Sequence, residues 1–211
     1  MKRISKRILS NLMKVWDKAT PEDKSEGMNW YPKAHDFAVS LSIRYNVSIP
    51  SACGVLAALS PGLEWNRNMI DATELLKAYS SGQPIPMVGA YGKANTVKAE
   101  KCASGIDPLS ILGGQKVRNF YSCILDPTSK GCCIDRHAKS AAEGITLLDS
   151  DKIRQTIIRD TQYQWYAEHY RTCAHNLGVS PSQFQAVIWV VWKRLKREST
   201  WTRGNTLRLA A

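Results

Sequence analysis

The sequence has no apolar run of the roughly 20 residues that a membrane-spanning helix requires. Its longest run, "AVIWVVW" at Ala186–Trp192, is much shorter. The opening residues, "MKRISKRILSNLMKVW", are basic but have no uninterrupted apolar core, so they do not match a secretory signal. These absences predict an intracellular, cytoplasmic protein with no membrane partner.

The cysteine patterns of metal centres are also missing. The chain has six cysteines, but it has no CxxC pair and no Cys/His quartet with zinc-finger or iron–sulfur spacing. Without an export signal, the six thiols are expected to be reduced and packed as small apolar groups. The stretch "GCCIDRHAK" at 131–139 brings two cysteines, an aspartate and a histidine together. Adjacent cysteines point in different directions and make poor joint ligands, so we predict neither a metal nor another cofactor.

The sequence has no internal repeat and no alternation of apolar and polar residues typical of strands. Residues 34–45 instead carry apolar side chains at helical spacing, and 52–59 has the composition of a wholly buried helix that ends at Pro61. A stripe of apolar residues runs from Phe184 to Leu195, after a helix start at Ser180. The predicted fold class is therefore all-α. Hydrophobic residues make up 44% of the chain, which is enough for a core.

Positive charge dominates the chain, with 29 lysines and arginines against 18 acidic residues and a net charge of +11. The excess is concentrated at both ends, at Lys2, Arg3, Lys6, Arg7, Lys14 and Lys18 and again at Lys193, Arg194, Lys196, Arg197, Arg203 and Arg208. Such a balance favours a polyanionic partner, because binding releases the counterions of that partner. A merely solubilising surface is the alternative.

The most informative stretch is residues 111–144, "ILGGQKVRNFYSCILDPTSKGCCIDRHAKSAAEG". Gly113-Gly114 predicts a tight turn before a helix at 115–125, and Asp135 can cap a helix that ends near Gly144. Glycines in a turn between helices let backbone N–H groups approach a phosphate. Lys116 and Asp135 are 19 residues apart, enough for one helix and a return loop that bring both side chains to one cleft. The alternative roles are a phosphate contact for Lys116 and a cap alone for Asp135.

This stretch resembles the helix-hairpin-helix DNA glycosylases of the endonuclease III type. Their "LPGVGxKTA" hairpin, following helix and "VDTHV" segment are matched here by "ILGGQKVRNF" and "CIDRHA". Upstream, "ACGVLAALSPGLEWNRNMIDATELL" resembles the family's buried helix, "LSxQ" turn and next helix, and "NTVKAEKCASG" resembles the small helix before the hairpin. Here the hairpin is Gly-Gly, Gly62 replaces the wedge glutamine, Arg136 replaces a threonine, and the family's C-terminal iron–sulfur cysteines are missing.

The resemblance spans about residues 30–197 and implies a two-lobed fold with a cleft between the lobes. One lobe would comprise residues 48–130, with the hairpin at 111–116. The second would combine residues 30–47 with 131–203. Residues 1–29 would form a separate basic segment and residues 204–211 a tail.

By resemblance, the chain is expected to be a monomeric DNA glycosylase that acts on double-stranded DNA carrying damaged or modified bases, and an abasic-site lyase as well if Lys116 attacks the sugar. Asp135 would be catalytic and stabilise positive charge on the deoxyribose. Lys116, if buried, would attack C1′ and form a Schiff base. The expected DNA contacts are Gly113, Gly114, Gln115, Arg118, Arg136, His137 and Lys139. The expected rim of the base pocket is Glu64, Trp65, Asn66 and Arg67.

Two other functions stay open at this point. Phage-encoded relatives of these glycosylases are thought to place an amine on a hypermodified thymine while leaving the glycosidic bond intact, and Asp135 would then serve that displacement. The chain could also be a DNA-binding module without chemistry. Two residues have structural alternatives as well, since Trp65 is expected in core packing and His137 in a structural or phosphate contact. The sequence does not identify the base.

Overall fold

The computed structural model describes residues 3–144 and 160–198, and within these ranges the chain is helical, without strands. The all-α prediction is therefore confirmed at the level of fold class. Among the described residues, no helix combines the length and apolar character that a membrane span requires. The described helices are α1 Lys6–Asp17, α2 Pro21–Met28, α3 Trp30–Tyr45, α4 Ile49–Leu59, α5 Trp65–Ser80, α6 Lys93–Ala103, α7 Pro108–Ile111, α8 Gln115–Leu125, α9 Arg136–Glu143, α10 Asp160–Leu177 and α11 Pro181–Glu198.

The chain divides into two compact units. The terminal unit is formed by residues 1–31 and 128–211, and the central unit by residues 32–127. These boundaries differ from the expected ones in two respects, because residues 1–29 are part of the terminal unit and residues 32–47 are part of the central unit. The predicted tail at 204–211 lies outside the described residues.

Helix α1 belongs to the terminal unit because its apolar side chains lie in that unit's core. Ile8, Leu12 and Val15 are fully buried, among residues of α9, α10 and α11. The ring centroid of Trp16 lies 5.2 Å from that of Phe184 on α11. The basic residues within α1, Lys6, Arg7 and Lys14, thus lie outside the buried stripe of an amphipathic helix.

Helix α2 packs on α11 through a glycine and an ion pair. A Cβ atom on Gly27 would lie 2.5 Å from Cα of Val187, so only glycine permits this approach. One turn earlier, Asp23 closes a capping box with Thr20 and is almost fully buried. The Arg194 guanidinium donates to the Asp23 carboxylate at 2.7 Å and to the backbone oxygen of Lys18 at 2.8 Å.

The central unit is built around α4, in which all residues from Ser51 to Leu59 are buried. Ser48 caps this helix by accepting the N–H of Ser51 at 3.1 Å. Helices α5, α6, α7 and α8 surround it. The buried helix predicted to end at Pro61 is therefore confirmed.

Candidate functional site

Asp135 stands at the N-cap of α9 in the terminal unit, and its Oδ1 atom accepts the N–H of Ala138 at 2.8 Å. The predicted cap is confirmed, as is the end of the helix at Gly144, which adopts a left-handed conformation with φ 73°. The Asp135 side chain is nevertheless partly exposed. A carboxylate that caps a helix through one oxygen keeps acceptor positions for a second interaction.

Two tyrosines of α10 fix the backbone on either side of Asp135. The Tyr163 hydroxyl accepts the N–H of Ile134 at 3.0 Å and donates to the Cys132 oxygen at 2.6 Å. The Tyr170 hydroxyl donates to the Ala138 oxygen at 2.8 Å. Because both tyrosine hydroxyls are buried and form hydrogen bonds to the backbone, the segment that carries Asp135 is held in one position.

The two adjacent cysteines of this segment face the protein interior. Cys132 is 0% and Cys133 6% exposed, and all six cysteines of the chain are buried thiols, as predicted. Burial raises the pKa of the Cys53 and Cys102 thiols to about 12, and such thiols are inert at neutral pH. Within residues 3–144 and 160–198, no group of three or more His, Cys, Asp and Glu side chains is arranged to hold a metal ion.

Positively charged side chains lie near His137, two residues after Asp135. Burial lowers the pKa of His137 below 6.5; the adjacent Asp135 opposes this, and Arg136, Lys196 and Lys193 lower the pKa further. The two lysines lie on α11, which packs against α9, and both are partly exposed. These lysines are far from His137 in the sequence, and only the packing of the two helices brings them close.

Of the other DNA contacts expected on α9, Arg136 is exposed and Lys139 partly exposed. His137 is partly exposed and, with its lowered pKa, is neutral at pH 7. It can therefore donate one hydrogen bond to a phosphate but brings no formal charge. The positive charge near His137 comes from Arg136, Lys193 and Lys196.

The glycine hairpin lies in the central unit, between α7 and α8. Asp107 caps α7 by accepting the N–H of Leu109 at 3.1 Å, and Gly114 is the N-cap of α8 with φ 74°. A Cβ atom on Gly113 or Gly114 would meet nothing within 4 Å, so the space above the turn is open. No side chain caps α8 at Gly114. This geometry suits a phosphate at the helix N-terminus.

The polar residues of α8 next to the hairpin differ in exposure. Lys116 is exposed and Gln115 partly exposed. The burial on which the Schiff-base role of Lys116 depended is therefore absent. Arg118 donates from Nε to the Leu112 oxygen at 2.7 Å, so it ties α8 to the turn while its side chain stays at the surface.

The residues expected at the pocket rim lie at the start of α5 in the central unit. Glu64 and Asn66 are exposed, and Arg67 pairs with the buried Asp71 at 2.6 Å. Asp71 in turn accepts the N–H of Gly89 at 2.8 Å, which fixes the loop before α6. Arg67 therefore supports the structure in addition to any contact with a ligand.

Trp65 is partly exposed and lies between two phenylalanines. Its ring centroid is 6.3 Å from that of Phe37 on α3 and 6.4 Å from that of Phe120 on α8, with interplanar angles of 74° and 84°. These are edge-to-face contacts. Core packing was the expected role of Trp65, and the side chain does pack on aromatic neighbours, but it is not buried. The two phenylalanines were not predicted to belong to a site.

Comparison with known proteins gives one family. A model of the family described as a family of unknown function, DUF7178, matches residues 2–196. No curated protein matches the chain, and no solved structure does.

Proposed function

We propose that this chain, which belongs to the DUF7178 family of unknown function, is a DNA-binding enzyme that cleaves the N-glycosidic bond of a nucleotide turned out of the duplex. The observation that carries the proposal is the Asp135 carboxylate, partly exposed at a helix N-terminus, next to Arg136 in the chain and two residues before a histidine that Lys193 and Lys196 approach. The resemblance of residues 111–144 to the helix-hairpin-helix glycosylases supports the same role. We further propose that the hairpin and two-lobed arrangement of those enzymes apply to this chain.

Asp135 would act through its charge. As the C1′–N bond breaks, its electrons leave with the base and positive charge develops on the deoxyribose ring. A carboxylate held in place before the reaction stabilises that charge without reorganising. Water then adds to C1′, its proton goes to the solvent, and the departing base takes up a proton.

The positive residues near His137 would hold the DNA backbone. Arg136, Lys193 and Lys196 can each neutralise a phosphate, and each such contact releases counterions. Turning a nucleotide out of the stack costs a few kcal/mol, and these contacts would offset that cost. Neutral His137 would donate one hydrogen bond to the backbone.

Lys116 would contact a phosphate at the glycine hairpin. Its exposed side chain supports this role over nucleophilic attack, which requires a neutral amine. Gly113 and Gly114 leave the backbone open to the same phosphate. The proposed reaction is therefore hydrolytic and forms no covalent intermediate with the enzyme.

The test is a screen of duplexes that contain damaged or modified bases, with mass spectrometry of the released bases and nucleosides. The wild-type protein is expected to release a free base and leave an abasic site. Asp135→Asn removes the charge but keeps a good N-cap, so activity should fall at least about 100-fold while the fold is retained. Asp107→Asn, a change at the N-cap of α7, is the matched control and should stay active.

The other outcomes identify the alternatives. An altered nucleoside with no free base would indicate base modification at Asp135 in place of glycosidic cleavage. Unchanged DNA together with salt-sensitive binding would indicate a binding module. A borohydride-trapped adduct that is lost in Lys116→Ala would show that Lys116 attacks the sugar, contrary to the phosphate role.

A further inference from the structure

Three partly exposed aromatic side chains of the central unit form one cluster: Phe37, Trp65 and Phe120. They come from three different helices, α3, α5 and α8. The position is fixed locally, since Nδ1 of His35 on α3 lies 2.9 Å from the Ile124 oxygen on α8. The aromatic cluster is thus a defined surface, assembled from residues far apart in the sequence.

Lysines flank the aromatic cluster on two of its helices. Lys33 lies one turn before Phe37 on α3, and Lys116 lies one turn before Phe120 on α8. Both lysines are exposed. Residues four apart on a helix lie on the same face, so each lysine shares a face with its phenylalanine.

Aromatic surface next to positive charge matches the chemistry of a nucleotide. The rings can stack on a base, and the lysines can contact the phosphates attached to it. A protein partner would not require this pairing of ring and cation. Fully paired DNA offers its phosphates but not the faces of its bases, so the cluster fits a base that is already out of the stack.

We infer that Phe37, Trp65 and Phe120 form a stacking surface for an unpaired nucleobase, with Lys33 and Lys116 on the adjoining phosphates. The inference rests on the proposed function and adds a surface of the central unit that would distinguish an unpaired base from a paired one. Stacking is tolerant of base identity, so this surface selects for the unpaired state and leaves discrimination among bases to polar contacts.

The test compares binding to two labelled duplexes, one fully paired and one with a single bulged base, by fluorescence anisotropy. The wild-type protein should bind the bulged duplex more tightly. Trp65→Ala should weaken that binding by about 5- to 150-fold, the range that loss of one base–aromatic stack produces, and change paired binding much less. Trp65→Phe should retain most of the preference. Lys116→Ala should weaken both complexes and make log K less dependent on log salt by about 0.9, as expected for one phosphate.

Trp165→Ala is the matched control. Trp165 is also partly exposed and packs edge to face on its neighbours, with its centroid 5.0 Å from that of Tyr166, but it lies in the terminal unit. It should leave the preference unchanged. Trp65→Leu serves as a second variant if Trp65→Ala does not fold, as judged by circular dichroism.

Each result separates the two proposals. Wild-type protein that binds both duplexes equally, or a folded Trp65 variant that keeps the preference, would overturn the stacking surface and leave the enzymatic proposal standing. Wild-type protein that binds neither duplex would overturn both. Loss of base release in Asp135→Asn with an unchanged preference for the bulged duplex would support both.

Discussion

Replacing Gly27 by alanine should destabilise the terminal unit, although alanine is the better helix former. The added Cβ would lie 2.5 Å from Cα and 2.6 Å from N of Val187, whereas ordinary contacts begin at 3.4 Å. Both neighbours are backbone atoms of α11, so no side-chain rotation relieves the overlap. Helices α2 and α11 must therefore separate by about 0.9 Å, the difference between the ordinary contact and the 2.5 Å approach.

Gly27→Ala changes the free energy of unfolding in opposite directions, through helix propensity and through packing. Alanine in place of glycine favours a helix by about 1 kcal/mol. Overpacking of this kind costs about 1–3 kcal/mol. The separation also stretches the 2.7 Å ion pair between the buried Asp23 carboxylate and the partly exposed Arg194 guanidinium, which adds a further cost. Because the two costs act together and only part of the ion pair is lost, we expect a net destabilisation of about 1–3 kcal/mol.

Urea unfolding followed by circular dichroism measures this effect. Ser25→Ala is the control, since Ser25 is exposed on the same helix and alanine there gains propensity without a clash. A Gly27→Ala protein as stable as the wild type would refute the reasoning, because the helices would then have room to accommodate the methyl group. Equal losses in both variants would also refute it, since the cause would then be α2 itself and not its packing.

Three further predictions concern pH and the glycine hairpin. Burial of Glu143 opposes its ionisation, but hydrogen bonds from neighbouring side chains hold its pKa below the usual 4.5. The stabilisation that the ionised carboxylate provides is complete above pH 4.5 and is lost as the pH falls through the folded-state pKa. Glu143→Gln should therefore flatten the pH dependence of urea unfolding in that acidic range. His137, with its lowered pKa, adds no charge at pH 7, so His137→Gln should reduce the salt dependence of DNA binding at that pH much less than Arg136→Gln does. Gly114→Ala should cost about 1–3 kcal/mol of stability, because φ 74° with ψ 143° is a backbone conformation that favours glycine, whereas Gly113→Ala, with open space and no positive φ, should change urea unfolding little.

Local signals in the sequence were sufficient for several elements. Ser48 and the apolar residues after it predicted the buried helix α4. A capping hydroxyl and an apolar run are both recognisable within one short stretch of sequence. Asp135 and Gly144 likewise marked the two ends of α9. The turn at Gly113-Gly114 and the helix after it were found for the same reason.

Features that depend on packing between distant segments were not predictable in this way. Residues 1–29 were predicted to form a separate segment because they are basic, although an apolar stripe within them places α1 in the core of the terminal unit. Helix α2 was missed because it is polar, although its Thr20–Asp23 capping box was a local signal for it. The lysines of α11 next to His137, and the two phenylalanines on Trp65, come together only through helix packing.

The order of the two units along the chain has a consequence for biosynthesis. The central unit is inserted in the sequence between the two segments of the terminal unit. Every residue of the central unit has therefore been translated once Pro127 is added. Helix α1, in contrast, is made before the central unit, and the last of the helices that bury it is α11. In the nascent chain its apolar stripe is therefore not fully covered until α11 has been made. Fusion of a bulky domain directly before α1 should leave folding of the central unit unchanged and slow the packing of α1 into the terminal unit.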